Sequence, residues 1–228
     1  MKRIERQDGA GRRSIFVFAA TLVAATGALW GFLAIVDALA DHEGVYYLDF
    51  HVRHLVTRWV RPDLTVWAIR VTEVGSVPGT TALVVLVSVL LWLRRKRWAV
   101  ARLLFATATG TLVFTGLKLL FHRPRPVDKL VPETGYSFPS GHAFMAMVFY
   151  GTLIYLAWTE SQSRAVRAMA TTLGALMIVL IGMSRIYLGV HWLTDVAAGY
   201  LAGFLWLCVS LAAVRLAERK RERGGGGA

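Results

Sequence analysis

What most constrains this chain is the recurrence of apolar runs about as long as a lipid bilayer is thick. A helix crossing about 30 Å of hydrocarbon at about 1.5 Å per residue needs about 20 mostly apolar residues. Six stretches approach or exceed that length: 14–38, 77–93, 98–120, 140–158, 168–188 and 192–214. With 56% hydrophobic and only 18% charged residues, the chain has too little polar surface for a soluble domain of its length. The expected fold class is all-α, a polytopic membrane bundle of six transmembrane helices. The first run follows Lys2 and Arg3 and ends near Ala38-Leu39-Ala40, as a cleavable signal would. It is longer than the about 7–15 residues of a signal core and reads as an uncleaved span.

A formal charge of +12 would point to nucleic acid in a soluble protein. In a membrane protein the placement of basic residues matters more, because Lys and Arg collect on the cytoplasmic side. Lys2, Arg3, Arg6, Arg12 and Arg13 precede the first run, and Arg94, Arg95, Lys96 and Arg97 separate the second from the third. Arg164 and Arg167 separate the fourth from the fifth, and Arg215, Arg219, Lys220, Arg221 and Arg223 follow the sixth. These segments share one side only when there are six spans and both termini are cytoplasmic. The organisation is then a basic N-terminus (1–13), a six-span domain (14–216) and a basic, Gly-rich tail (217–228). Loops 39–76, 121–139 and 189–191 face outward, toward the periplasm or the exterior of an inner or plasma membrane. Membrane lipids, not nucleic acid, are the implied surroundings, and no particular oligomeric state follows.

In the first outer loop Leu48, Val52, Leu55 and Trp59 fall at helical spacing, with Asp49, Arg53, Arg58 and Arg61 on other faces and Pro62 as a stop. That is the pattern of a helix lying in the interface. His51 and His54 are three apart, but no carboxylate or cysteine completes a ligand set, and they read as a solvated face. Ser76, Pro78 and Gly79 read as the start of the second span, with Ser as cap and Pro in the first turn. Cys208 has no partner for a disulfide or thiolate site and reads as packing. Gly224 to Ala228 reads as a flexible tail.

Three polar segments break the apolar rule, all at the outer ends of the third to sixth spans. The first holds Lys118, Arg123 and Arg125, with Pro124 and Pro126 stiffening the loop. An Arg fork fits phosphate oxygens and Lys adds a point charge, though the same residues would serve a loop touching lipid headgroups. The second, Pro139-Ser140-Gly141-His142, opens the fourth span: Ser140 is a good N-cap, Gly141 lets a ligand approach the backbone, and a helix start attracts anions. A plain capped helix with an exposed His fits this segment too. The third runs from Ser184-Arg185 to His191 and Asp195. The last two are four apart and share a helical face, so the carboxylate can orient one imidazole nitrogen and leave the other nucleophilic. A carboxylate one turn into a membrane helix is costly and commonly functional; read alone, the pair suits a purely structural contact equally well.

Taken together, these segments resemble the signature of the type 2 phosphatidic acid phosphatases, the membrane lipid phosphatase branch of a superfamily shared with vanadium haloperoxidases. The signature is Lys, six residues, Arg-Pro; Pro-Ser-Gly-His; and Ser-Arg, five residues, His, three residues, Asp. It is matched by Lys118 to Arg125-Pro126, Pro139 to His142, and Ser184-Arg185 to His191 and Asp195, with no departure. The resemblance implies a phosphohistidine on His191, oriented by Asp195, with His142 protonating the leaving group. It implies phosphoryl binding by Lys118, Arg125, Ser140, Gly141 and Arg185, and it selects Arg125 over Arg123. The implied activity is hydrolysis of the terminal phosphate of a lipid phosphate or diphosphate (phosphatidylglycerol phosphate, phosphatidate or undecaprenyl diphosphate) at the outer face. No cofactor or metal is expected: there is no Asp/Glu cluster for magnesium or zinc, and the basic residues take over that charge. A lipid phosphotransferase would use the same site. A haloperoxidase of that superfamily would be soluble and larger. A lipid transporter would place its polar residues at the midplane rather than at one edge.

Overall fold

The computed structural model describes residues 2–41 and 44–224, which form α1 (Lys2–Ala40), α2 (Gly44–Thr57), α3 (Pro62–Val74), α4 (Val77–Leu93), α5 (Arg97–Leu120), α6 (Gly141–Glu160), α7 (Arg164–Tyr187) and α8 (Leu193–Gly224). The architecture is all-α. Five helices are long and apolar enough to cross a membrane: Phe18–Ala40 of α1, all of α5, α6 and α7, and Leu193–Glu222 of α8. The expected 77–93 segment is α4, which is too short alone and meets the same test only together with α3, from which it bends by 51°, so the described residues hold five spans, or six with that bent pair counted as one. Residues 217–224 continue α8; the rest of the expected flexible tail, 225–228, lies outside the described residues.

The 39–76 connection departs from expectation twice. It carries two helices rather than one: α2 already ends at Thr57, and Pro62 starts α3. At the first helical position its missing N–H costs nothing and its φ is already helical. Asp49 and Arg53, expected on other faces of an interfacial helix than its apolar residues, are buried, while Tyr47, Leu48 and Phe50 are exposed. The polar stripe of this helix therefore faces protein, and apolar side chains face outward, as suits a helix against lipid. His51 and His54 are exposed. Ser76 does cap α4, accepting from the Gly79 amide at 3.2 Å.

The centre of the bundle is the α6–α8 pair. Half of the span residues of α6 and 44% of those of α8 are buried, against 11% for α1 and 17% for α7, whose remaining apolar surface is left for lipid. Phe32 of α1, Ala106 of α5, Phe144 and Val148 of α6, and Ala198 and Ala202 of α8 meet in one core. The close approach of α6 and α8 depends on Gly199 and Gly203, one turn apart on α8. A Cβ at Gly199 would lie 2.6 Å from the Ser140 carbonyl oxygen, and one at Gly203 2.7 Å from that of Phe144. Small residues at such spacing let helix backbones meet where lipid supplies no hydrophobic drive. The helix starts are stitched as well, the Ser140 amide donating to the Asp195 carbonyl at 2.9 Å. At the opposite end Arg102 of α5 pairs with Glu160 of α6 at 3.3 Å and with Glu218 of α8, and Lys96 pairs with Glu160 at 3.1 Å.

Gly203→Val should therefore push α6 from α8. Overpacking of this kind costs about 1–3 kcal/mol and will appear as a lowered thermal midpoint in detergent. Gly27→Val, where an added Cβ meets nothing within 4 Å, serves as control; equal midpoints for the two variants would refute the packing argument.

Candidate active site

The three polar segments come together at one end of the bundle. Lys118 in the last turn of α5, Arg125 in the connection before α6, Gly141 and His142 at the start of α6, and His191 between α7 and α8 line one cavity of about 420 Å³. Ser140, Arg185 and Asp195 are buried and do not line it themselves; each is next in sequence to, or bonded with, a residue that does: Ser140 precedes Gly141, Arg185 pairs with Glu133, and Asp195 lies against His191. Ser140 caps α6, its side chain accepting from the Ala143 amide at 3.5 Å; Arg185 sits in the last turn of α7; Asp195 lies in the first turn of α8.

His191 is placed by the way α7 ends. The amides of Leu188 and Gly189 bond back to the carbonyls of Ser184 and Ile186. Gly189 takes the left-handed conformation (φ 66°) that glycine adopts at little cost. The chain then folds back so that the Val190 amide reaches the Arg185 carbonyl at 3.2 Å. Arg53 of α2 secures this corner. It donates to the carbonyls of Ile186 and Tyr187 at 3.3 and 3.2 Å, and to the Asp128 carboxylate at 2.9 Å, a cation where the helix dipole favours one.

The imidazole of His191 is almost fully buried. Its Nε2 lies 3.2 Å from Arg125 Nη1. A guanidinium can only donate, so this network assigns Nε2 as the bare nitrogen and Nδ1 as the protonated one. Nδ1 points to Asp195 Oδ2 at 3.5 Å, just short of a formed hydrogen bond. Burial pushes the imidazole down to about 4 against the opposing pull of Asp195, so His191 is neutral at neutral pH.

Asp195 is itself held on both oxygens. Oδ2 accepts from the Trp192 amide at 2.8 Å, and Oδ1 from Arg123 Nη1 at 2.6 Å. Arg123 Nη2 donates to Asp49 at 2.5 Å. Asp49 also accepts from the amide and hydroxyl of Thr194, at 3.0 and 2.6 Å. The rings of Tyr46 and Trp192 flank the guanidinium at 5.3 and 5.5 Å. An alternating row of buried charges thus runs from α2 through Arg123 and Asp195 to His191. On the other side of the site, Arg185 donates to the Thr72 hydroxyl at 2.9 Å and to Glu133 Oε2 at 2.6 Å. Arg125 donates from Nε to the Gly135 carbonyl at 3.0 Å and from Nη1 to the Val190 carbonyl at 2.6 Å. Among the described residues, no group of three or more His, Cys, Asp or Glu side chains is placed to hold a metal ion.

A family comparison matches residues 99–219, which carry all three segments, to the PAP2 superfamily. The chain belongs to the PAP2 superfamily. It is similar to phosphatidylglycerophosphatase B of Bacillus subtilis, 33% identical over 141 residues that make up 59% of this chain and 68% of that protein. It is also similar to an undecaprenyl-diphosphatase of Sulfolobus acidocaldarius, 37% identical over 86 residues, 36% of each chain. Among solved structures, the transmembrane PAP2-type phosphatidylglycerolphosphate phosphatase of Bacillus subtilis superposes with a TM-score of 0.75 at 28% identity, covering 82% of this chain and 94% of that one. The chain is a multi-pass membrane protein.

Beyond the PAP2 signature, the sequence reading did not find Asp49, Thr72, Glu133 or Thr194, and it left Arg123 without a role. One signal was available. Asp49 and Arg53 are four apart, hence on one face of a helix whose remaining residues are largely apolar, and such a stripe can face protein as well as water. Arg123→Met would leave Asp49 and Asp195 buried without their counter-charge. Removing one partner of a buried ion pair costs about 3–5 kcal/mol, so this variant should lose much of its thermal stability in detergent. A midpoint equal to the parent's would show that the row of charges does not hold the site together.

Proposed function

We propose that this PAP2 chain hydrolyses the terminal phosphate of a lipid phosphate or lipid diphosphate through a phosphohistidine on His191. The shape of the cavity carries the reading. Lys118, Arg125, His142 and His191 occupy its polar end, and Val84, Val85, Leu104 and Ala108 line the remainder. Leu104 and Lys118 both border it, so along α5 it extends about 20 Å at about 1.5 Å per residue. A phosphate at the polar end has an apolar slot for its chain between α4 and α5.

In the first step Nε2 of His191 attacks phosphorus, the bond from phosphorus to the lipid oxygen breaks, and His142 gives that oxygen a proton. Water then gives a proton to His142 as its oxygen bonds to phosphorus and the phosphorus–nitrogen bond breaks, releasing phosphate and restoring both imidazoles. The assigned tautomer suits this, with the bare nitrogen toward the cavity and the proton toward Asp195. Charge on the transferring phosphoryl oxygens is met by Lys118, Arg125 and Arg185 and by the helix start at Ser140 and Gly141, fixed in place before reaction. The names of the relatives direct the substrate panel to phosphatidylglycerol phosphate, phosphatidate and undecaprenyl diphosphate.

The site opens on the outer face, with both termini cytoplasmic. The support is positive-inside placement: the connections α4–α5 and α6–α7 and the end of α8, all rich in Lys and Arg, lie at the opposite end of the bundle. In a Cys208→Ala background, a cysteine at Pro132 should react with an impermeant thiol reagent on intact cells, and one at Lys96 should not. The reverse pattern would invert the orientation.

The two histidines separate in their response to the leaving group. Assayed with saturating chelator present, His191→Ala should abolish turnover of every substrate. His142→Ala should be severe with lipid substrates and milder with a nitrophenyl phosphate, since general acid help is worth about 10²–10⁴-fold and matters least for a good leaving group. Equal losses for both variants on both substrates, or labelled phosphate trapped on His142, would show the roles to be wrong.

A further inference from the structure

The connection between α5 and α6 brings a carboxylate into the site that neither the signature nor the mechanism above uses. Glu133 lines the same cavity as Lys118, Arg125, His142 and His191. Its Oε2 accepts from Arg185 Nη2 at 2.6 Å, and its Oε1 lies 3.7 Å from Arg125 Nη2. Burial works to raise its pKa, but the hydrogen bond and charge of Arg185, and the charge of Arg125, bring it below the usual carboxylate range. The carboxylate is thus an anion lying against two of the cations that the proposed mechanism assigns to the phosphoryl oxygens.

This contact is not needed to hold the loop. The connection is already fixed by Asp128 on Arg53, by the Leu130 amide on the Leu188 carbonyl at 2.9 Å, and by the Ser137 amide on the Arg123 carbonyl at 2.9 Å. Lys129 Nζ holds the Glu133 backbone carbonyl at 3.0 Å, independently of the side chain. The Glu133 side chain remains 31% exposed, so it can swing out without opening the core.

We propose that the Glu133 carboxylate is the resident anion of the phosphate subsite, pairing with Arg185 and Arg125 in the empty enzyme, yielding to the substrate phosphoryl group, and returning to displace inorganic phosphate after hydrolysis. This rests on the reading of Arg125 and Arg185 as phosphoryl ligands. Two charges and three free oxygens let a phosphate dianion outcompete one carboxylate, while the competition keeps the product from binding tightly. Glu133 acts through the arginines and is a positioning residue. It keeps their side chains aligned in the absence of substrate and sets the affinity of the subsite for phosphate.

The test is competitive inhibition by inorganic phosphate, at fixed ionic strength because exposed charges are screened, in Glu133→Gln, Arg185→Lys and the parent enzyme. Glu133→Gln keeps the size of the side chain and removes its charge. It should lower the inhibition constant for phosphate about tenfold, equivalent to about 1.4 kcal/mol, and lower KM in parallel, with kcat reduced as release of phosphate slows. A purely structural role predicts the opposite, a raised KM and a lowered thermal midpoint. An unchanged or weaker phosphate affinity in Glu133→Gln overturns the proposal. Arg185→Lys tests the underlying reading separately: its phosphate affinity should fall, because Lys cannot reproduce a planar fork. If that variant binds phosphate as the parent does, the assignment of Arg185 fails. If it weakens while Glu133→Gln does not tighten, only the role given to Glu133 fails.

Discussion

A guanidinium held between two carboxylates inside a membrane bundle is the interaction on which the site depends. Arg123, Asp49 and Asp195 are all buried, and removing such charges from water costs several kcal/mol each unless geometry and further hydrogen bonds compensate. Here they do: both oxygens of Asp49 and both of Asp195 accept hydrogen bonds. The constraint is shared by three elements distant in sequence, since α2 supplies Asp49, the connection before α6 supplies Arg123, and α8 supplies Asp195. None of them can roll or slide without exposing a charge to an apolar interior. The short helix α2 is therefore a structural wall of the site rather than a passive cover.

The rest of the bundle keeps that arrangement in register from both ends. Near the site, α6 and α8 touch through Gly199 and Gly203 and through the bond from the Ser140 amide to Asp195. At the far end, Arg102 binds acidic residues of the same two helices. The helix that presents His142 and the one that carries Asp195 are consequently fixed relative to each other. The groups proposed to act in catalysis inherit that rigidity, and electrostatic catalysis depends on polar groups already in place before charge develops.

These features were unequally legible in the sequence. The spans were readable because hydropathy over about 20 residues is a local property, and the signature segments were readable because each is contiguous. Helix α3 was missed because Pro62 has two valid meanings, a stop for the helix before it and a first-turn residue for the helix after it. The burial of Asp49 and Arg53 was missed for a different reason. A polar stripe on an amphipathic helix carries the same pattern whether it faces water or a buried counter-charge, and the counter-charges of Asp49 and Arg53 lie at Arg123 and Asp128, far along the chain. Glu133 falls between two signature segments in a stretch with no periodicity, so its nearness to Arg185 is wholly a product of the tertiary fold.

The division between Arg123 and Arg125 shows what the tertiary fold adds. Two residues apart in the same loop, they are chemically identical, and nothing in their spacing says which faces substrate. Their surroundings decide it. Three of the four terminal N–H groups of Arg123 are taken by Asp49, Asp195 and Thr194, aromatic rings flank it, and it is buried away from the cavity. Arg125 is anchored by two backbone carbonyls through Nε and Nη1, while Nη2 meets only Glu133, at 3.7 Å. An arginine positioned by neutral carbonyls, with a carboxylate only at 3.7 Å from its remaining terminal nitrogen, keeps an edge of its fork that a phosphate can take over. Pro124 lies between the two and restricts the backbone of both itself and the preceding residue, which helps to send one side chain into the protein and the other into the cavity.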